Sequence, residues 1–211
     1  MTIKKGDFVE MEFTGKIKST MQIFDTNNKD VAKTYDVYDE KTDYRPMIIV
    51  VGERQIVKGL DDFIEGKDLG AYNVEVSAEN AFGKKSAKLI QLYGLAEFHK
   101  HEINPFPGLE VDMDGQRGII RTVNGGRVTV DFNHPLASHD LVYDIRLMRI
   151  VTDVKEKVEG VLRTFRVPFK NISLENGTAT IHFENKFPEE ITSPLAVEIK
   201  RLTGIENIEF K

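Results

Sequence analysis

The 211-residue chain contains no cysteine. Disulfides and thiol catalysis are thereby excluded, and a cytoplasmic location is the expectation. No run of about 18 or more apolar residues occurs, so no membrane-spanning helix is expected. The first seven residues hold no apolar core of signal-peptide length. Positive charge is not in excess either: 29 Lys and Arg stand against 34 Asp and Glu, a formal net charge of −5. Residues 86–137 alone hold 5 basic and 6 acidic side chains. The basic footprint that nucleic-acid binding needs is missing. Internal repeats, low-complexity tracts and long linkers are absent too. What is present is a composition of 40% hydrophobic and 30% charged residues, which suits a water-soluble fold with a real core. The length allows one large domain or two to three small ones.

Periodicity predicts mixed α+β structure. Residues 8–18 alternate through Phe8, Val9, Glu10, Met11, Glu12 and Phe13 as a strand does, and Thr14-Gly15 loosens its end. Residues 19–45 are polar and irregular. Met47-Ile48-Ile49-Val50-Val51 is a compact β-branched strand that stops at Gly52. Residues 57–69 suit a short helix, with Leu60, Phe63 and Ile64 on one face, Asp61 and Asp62 towards its N-terminal end and Gly66 at its close. Residues 72–76 alternate again. Residues 88–98 have helical spacing. Two strands at 118–123 and 127–132 flank Asn124-Gly125-Gly126, a hairpin signal because those residues tolerate positive φ. Residues 141–151 read as one long strand. Beyond residue 153, Val154, Val158, Val161 and Leu162 have helical spacing, 171–183 reads as a hairpin around Glu175-Asn176-Gly177, and Ser193-Pro194 starts a helix that Gly204 stops.

Few residues carry obvious chemistry. His99-Lys100-His101 places two imidazoles at i and i+2, which share a face only on an extended segment, and no further cluster joins them, so no metal is expected. No His has the serine-and-acid setting of a nucleophilic triad. The glycine-rich places lack the strand-Gly-helix phosphate pattern. A lone Phe or Val at strand spacing is ordinarily core, and a lone Asp such as Asp25 is ordinarily a turn residue.

Taken as an ordered set, these residues are less ordinary. Phe13-Thr14-Gly15, Phe24-Asp25, Ile56-Val57-Lys58-Gly59-Leu60, Ala81-Phe82-Gly83 and Tyr143 resemble the ligand pocket of the FKBP-type peptidyl-prolyl isomerases. The resemblance runs over residues 5–85 and resumes at 138–151. A small β unit sits between, where the family's flap would be, as in the SlyD-type subfamily. Asn133-His134-Pro135-Leu136-Ala137 is similar to that subfamily's return into the catalytic domain. The resemblance implies three parts: an isomerase domain at 1–85 plus 138–152, an insert-in-flap domain at 86–137, and a C-terminal α+β domain at 153–211 similar to the extension of long archaeal members. It implies an antiparallel sheet wrapped on a short helix. It assigns Asp25, Phe24, Val57, Phe82 and Tyr143 to catalysis, and Phe13, Met47, Ile49, Ile56 and Leu60 to substrate binding. Phe13 and Phe82 stand where the family places tyrosines, so two hydroxyls that would meet a ligand carbonyl are missing.

The implied activity is isomerisation of X-Pro bonds in unfolded or partly folded proteins, with no cofactor and no metal. Ile90, Leu92, Tyr93, Leu95, Phe98, Phe106 and Leu136 in and around the insert are the expected client-binding surface. Unfolded polypeptides and proline-containing peptides are the implied partners, with no nucleic acid and no membrane. The long archaeal members imply a homodimer through the C-terminal part. Two alternatives stay open at this point: a holdase chaperone with little turnover, and a nucleic-acid module of SH3-like type in the small β unit, against which its charge balance speaks.

Overall fold

The computed structural model describes residues 2–175, 177–185 and 187–211. The chain divides into two units, one formed by residues 1–76 with 140–211 and the other by residues 77–139.

The first unit is built on strand β1 (Phe8–Ile17), whose alternation buries Phe8, Val9 and Met11. The C-terminal half of β1 pairs with β2 (Ile23–Thr26) and its N-terminal half with β3 (Met47–Val50), both antiparallel. Its other edge takes β9 (Leu141–Val151), which in turn pairs with β4 (Gly70–Val76). Helix α2 (Lys58–Ile64) packs against β4, where Phe63 meets Tyr72 edge to face at 5.6 Å. Mixed α+β structure around an antiparallel sheet is what the alternating patterns predict.

Between β2 and β3 lies a six-residue helix, α1 (Lys29–Thr34), inside the stretch read as irregular. Only Ala32 is buried there, so no apolar period announces it. The Asn28 side chain starts it by accepting from the N–H groups of Asp30 and Val31.

After β9, helix α4 (Val154–Thr164) is capped by Asp153, whose carboxylate accepts from the Glu156 N–H at 2.9 Å. The antiparallel pair β10 (Asn171–Glu175) and β11 (Thr178–His182) follows. Asn176 of the expected turn lies outside the described residues. Helix α5 (Glu189–Thr203) leads to β12 (Asn207–Phe210), which lies parallel to β11. The expected helix start at Ser193-Pro194 needs correction, because α5 begins five residues before Pro194. Glu189 and Glu190 suit its positive end, and Pro194 lies inside the helix, where it gives up the bond an N–H would make to the Glu190 carbonyl. The buried Thr192 and Leu195 anchor that stretch.

One apolar cluster joins Phe8, Val50 and Val151 to Val158, Val161, Leu162, Ile181 and Ile199. The C-terminal segment therefore shares its core with the sheet. Helix α4 approaches β3 closely at Gly160, where an added Cβ would lie 2.8 Å from Ile48 Cγ2.

The second unit contains β5 (Ile90–Gly94), α3 (Leu95–Lys100), β6 (Glu110–Met113), β7 (Gln116–Asn124) and β8 (Arg127–Asp131). Its sheet order is β5-β8-β7-β6. Gly125 and Gly126 make the tight β7–β8 turn with φ of 56° and 74°, as the hairpin signal predicts. The helical reading of 88–98 holds only for its end. Ile90–Gly94 pairs with β8, so tertiary pairing of β-branched and aromatic side chains overrides the helical spacing. Phe98, Val111, Ile120, Val128 and Val130 form the core of this unit.

Candidate active site

Strand pairing fixes the centre of the site. Gly15 on β1 stands opposite Tyr143 on β9, and Gly15 also stands opposite Asp25 on β2. Phe13 and Phe24 both reach Tyr143: the Phe24 ring meets it edge to face at 5.8 Å, and the Phe13 ring lies tilted at 6.4 Å. Glycine is required at position 15 by space. An added Cβ would lie 2.5 Å from Phe24 Cζ and 3.0 Å from Tyr143 Cε1. Three aromatic rings from three strands thus meet at Tyr143, and two of them, Phe24 and Tyr143, close over one residue that has no side chain.

Asp25 lies beside this cluster. Its side chain is exposed by area, but crowding by its surroundings strips part of its water and raises the carboxyl above the ordinary range. The Thr26 N–H and the charge of Arg166 oppose that rise. Burial, reinforced by the Asp25 charge, pushes the Tyr143 hydroxyl above the usual phenol range. The turn after Asp25 is held by Asn27, whose carboxamide oxygen accepts from the Phe13 N–H at 2.8 Å while its NH₂ donates to the Met11 carbonyl at 3.0 Å.

Val57 precedes α2 as its cap residue, in an extended conformation with φ −56° and ψ 139°. Its carbonyl accepts from the N–H groups of Leu60 and Asp61, while its own N–H meets no acceptor among the described residues. The loop leading to it is pinned from below. Asp61 is buried, and its carboxylate accepts from the Gly52 N–H at 2.8 Å and the Arg54 N–H at 3.0 Å. Arg54 has φ of 56°, a left-handed conformation that costs about 1 kcal/mol or more in a non-glycine residue and persists only when held.

The remaining expected residues fall in different places. Ile56 and Val57 are half-buried, and Leu60 is buried on α2. Ile49 requires correction as a substrate-binding residue: it pairs opposite Val9 and has no exposed surface, so it belongs to the core. Met47 lines a cleft with Arg45, Arg163 and Arg166. Phe82 belongs to the second unit, where its ring stacks on His134 with centroids 4.2 Å apart and planes 4° from parallel.

In the second unit Ile90, Leu92 and Phe106 are exposed, at 43%, 58% and 56%. Leu136 is half-buried, as are Tyr93 and Leu95, which pack on the core. Phe98 requires correction as a surface residue. At 2% exposure it is the centre of that core, turned inward by α3, with Tyr93 edge-on at 6.3 Å. Sequence reasoning missed Gly15 as the space the aromatics fill, Asp61 as the loop anchor, and Arg166 as a charge near Asp25. Gly15 was visible beside Phe13, whereas Asp61 reads only as an acid at a helix start and Arg166 has no local signal.

A family model described as FKBP-type peptidyl-prolyl cis-trans isomerase matches residues 1–99. A FKBP-type 16 kDa peptidyl-prolyl cis-trans isomerase of Escherichia coli is 35% identical over 114 residues, which cover 50% of this chain and 74% of the relative. The chain belongs to the FKBP-type peptidyl-prolyl cis-trans isomerase family. A short-type peptidyl-prolyl cis-trans isomerase of Methanocaldococcus jannaschii is 28% identical over 146 residues, 69% of this chain and 92% of the relative. The SlyD isomerase of Aeromonas hydrophila is 27% identical over 126 residues, 58% of this chain and 59% of the relative. A second model, the FKBP26 IF domain, matches residues 91–136, within the second unit. Among the described residues no helix is long and apolar enough to cross a membrane. In this FKBP-type chain the aromatic cluster around Gly15 is the candidate isomerase centre.

Proposed function

We propose that the chain turns X-Pro bonds of unfolded or partly folded polypeptides at the Phe13–Phe24–Tyr143 cluster, and that its second unit holds the client while it does so. The observation that carries the reading is the closure of three aromatic rings beside a partly desolvated Asp25.

Rotation about a peptide bond faces about 18–20 kcal/mol because amide resonance must be broken. In the twisted state the C–N bond loses double-bond character and the carbonyl loses part of its dipole. An apolar wall therefore disfavours the planar amide more than the twisted one, and only such differential binding speeds the step. Phe24, Val57, Leu60 and Tyr143 supply the wall in this reading, with Phe13 and Ile56 at its margins. The Val57 N–H, which meets no acceptor among the described residues, donates to the carbonyl before the twist. Asp25 polarises or orients the bond. Each tenfold of rate needs about 1.4 kcal/mol, so three decades require about 4 kcal/mol, which is of the order gained by burying two apolar side chains.

The chaperone part rests on strand β5, which lies at the edge of its sheet and carries the exposed Ile90 and Leu92. An edge with unpaired backbone groups and apolar side chains suits addition of an extended client strand. Holding the client raises the concentration of its prolines near the aromatic cluster. The lack of cysteine suits action in the cytoplasm. Ile191 on α5 is exposed at an apolar groove that also includes Phe165, Pro194 and Leu195, which supports pairing of two copies through this face.

Ile90→Lys with Leu92→Lys tests the division of labour. Refolding of a proline-limited protein is expected to slow about tenfold, while tetrapeptide turnover stays within twofold of the parent. Equal losses on both substrates contradict the division. A chain that suppresses aggregation but turns over no tetrapeptide is a holdase. Ile191→Lys tests the pairing through the mass in solution.

A further inference from the structure

A cleft of about 540 Å³ runs between β3 and residues 163–170, within the first unit. Its charge is one-sided. Arg45, Arg163, Arg166 and Lys170 line it, against the single carboxylate of Asp43. Asp43 pairs with Arg45 at 2.6 Å and with Arg163 at 3.5 Å, so its charge is already engaged. Neither Arg166 nor Lys170 has an ion pair among the described residues, and both are exposed.

The backbone fixes the position of Arg166. Its φ is 54°, and its N–H donates to the Arg163 carbonyl at 2.9 Å, in the turn that ends α4. A cation at a helix C-terminus ordinarily serves the helix dipole, and Arg163 suffices for that role. Arg166 and Lys170 lie beyond the helix, on the cleft. The cleft also borders the isomerase centre. Asn27, two residues after Asp25, lines it and holds the Phe13 backbone. Arg166 is near enough for its charge to be felt at Asp25.

We propose that this cleft binds acidic side chains of the client a few residues from the proline, so that the enzyme favours prolines flanked by Asp or Glu. The inference rests on the isomerase reading for its biological meaning, but its binding step can be measured without turnover. An extended chain advances about 3.3–3.6 Å per residue, and Asn27 borders both the Phe13 backbone and the cleft, so acidic residues a few positions from the X-Pro bond are the ones offered to the cleft. Exposed ion pairs are individually weak and fade with salt. The expected preference is therefore a few-fold per carboxylate and dependent on ionic strength.

The test uses the full chain and fluorescent peptides that share one neutral prolyl core, extended on either side by three Glu or three Gln. Binding is read by anisotropy and turnover by peptide isomerisation. On at least one side the Glu-tailed peptide is expected to bind about 5–10-fold tighter at low salt, with the ratio shrinking at high salt. Arg166→Glu with Lys170→Glu is expected to bring the Glu-to-Gln ratio to about one or below. Equal affinity for Glu and Gln tails on both sides overturns the inference. So does a preference that survives the double charge reversal, or tighter binding of an oligonucleotide of equal charge at the same residues. Absence of turnover with the Glu preference intact counts against the isomerase reading and leaves the basic, acid-binding cleft standing.

Discussion

The ring of Phe24 meets that of Tyr143 edge to face, with centroids 5.8 Å apart, across the vacant side-chain position of Gly15. The contact joins β2 to the last strand of the antiparallel sheet, more than a hundred residues later. Such pairs contribute about 0.5–1.5 kcal/mol beyond the area they bury. Here the pair also gives the apolar wall its shape.

Gly15→Ala is expected to push both rings aside. The backbone tolerates the change, since the residue lies within a paired strand, but the methyl would overlap Phe24. Overpacking of this kind costs about 1–3 kcal/mol. A tetrapeptide assay should show kcat/KM falling by about tenfold or more, with the near-ultraviolet signal of the aromatics altered and the secondary structure kept.

Asp61→Ala leaves the part-buried N–H groups of Gly52 and Arg54 without their acceptor. At about 1–3 kcal/mol for each unsatisfied group, chemical denaturation should reveal a loss of about 3 kcal/mol. Released from its anchor, the loop no longer presents the Val57 N–H, so turnover should fall by more than the unfolded fraction explains. Asp61→Asn keeps one acceptor and should recover about half of the stability.

The carboxyl of Asp25 is raised in the folded protein by loss of water. A raised acid binds its proton more tightly when folded, so its ionisation weakens the fold as pH rises through the folded value, and the difference vanishes below the ordinary carboxylate range of about 4. Asp25→Asn should therefore raise Tm at pH 7 and leave it unchanged at pH 3, while lowering isomerase activity at pH 7. A Tm gain that persists at pH 3 contradicts the assignment.

Asp131 behaves in the opposite sense. Burial alone would raise its carboxyl, but hydrogen bonds from the Asn133 side chain and backbone and from Arg121, with the Lys85 charge, bring it down to about 2. Only 3% of this residue is exposed. A depressed acid stabilises the fold above its unfolded value, and that contribution is lost as pH falls from about 4 to about 2. Amide exchange in β7 and β8 should show the second unit weakening by about 2 kcal/mol over that interval. Asp131→Asn should already have lost that contribution at pH 7.

How far these features were legible in the chain depends on the range of the interaction. The strands of Phe8–Ile17 and Leu141–Val151 alternate so that a half-buried sheet is the natural reading, and Gly125-Gly126 announces its turn by the φ it needs. Ile90–Gly94 was misread because its spacing suits a helix equally well, and only pairing with β8 decides. Helix α1 carried no apolar period, and α5 runs through Pro194 because the buried Thr192 and Leu195 hold its first turn. At the site, Phe13, Phe24, Asp25 and Tyr143 were legible as an ordered set. Their gathering depends on the register of β1 with β2 and β9. The separate tasks of Asp61 and Asp62 were not legible: the first is buried beneath a loop, while the second is exposed and pairs with Arg54 at 2.6 Å and Lys58 at 3.0 Å. The charge of Arg166 is felt at Asp25 because α4 docks against β3.

The most direct measurement is cis–trans exchange in a neutral prolyl tetrapeptide, followed by NMR with the intact chain and with Phe24→Ala. The account predicts exchange far above the uncatalysed rate, with kcat/KM at least tenfold lower in the variant while its amide spectrum stays dispersed. An intact chain that leaves the exchange rate unchanged, or a folded Phe24→Ala as active as its parent, would contradict it.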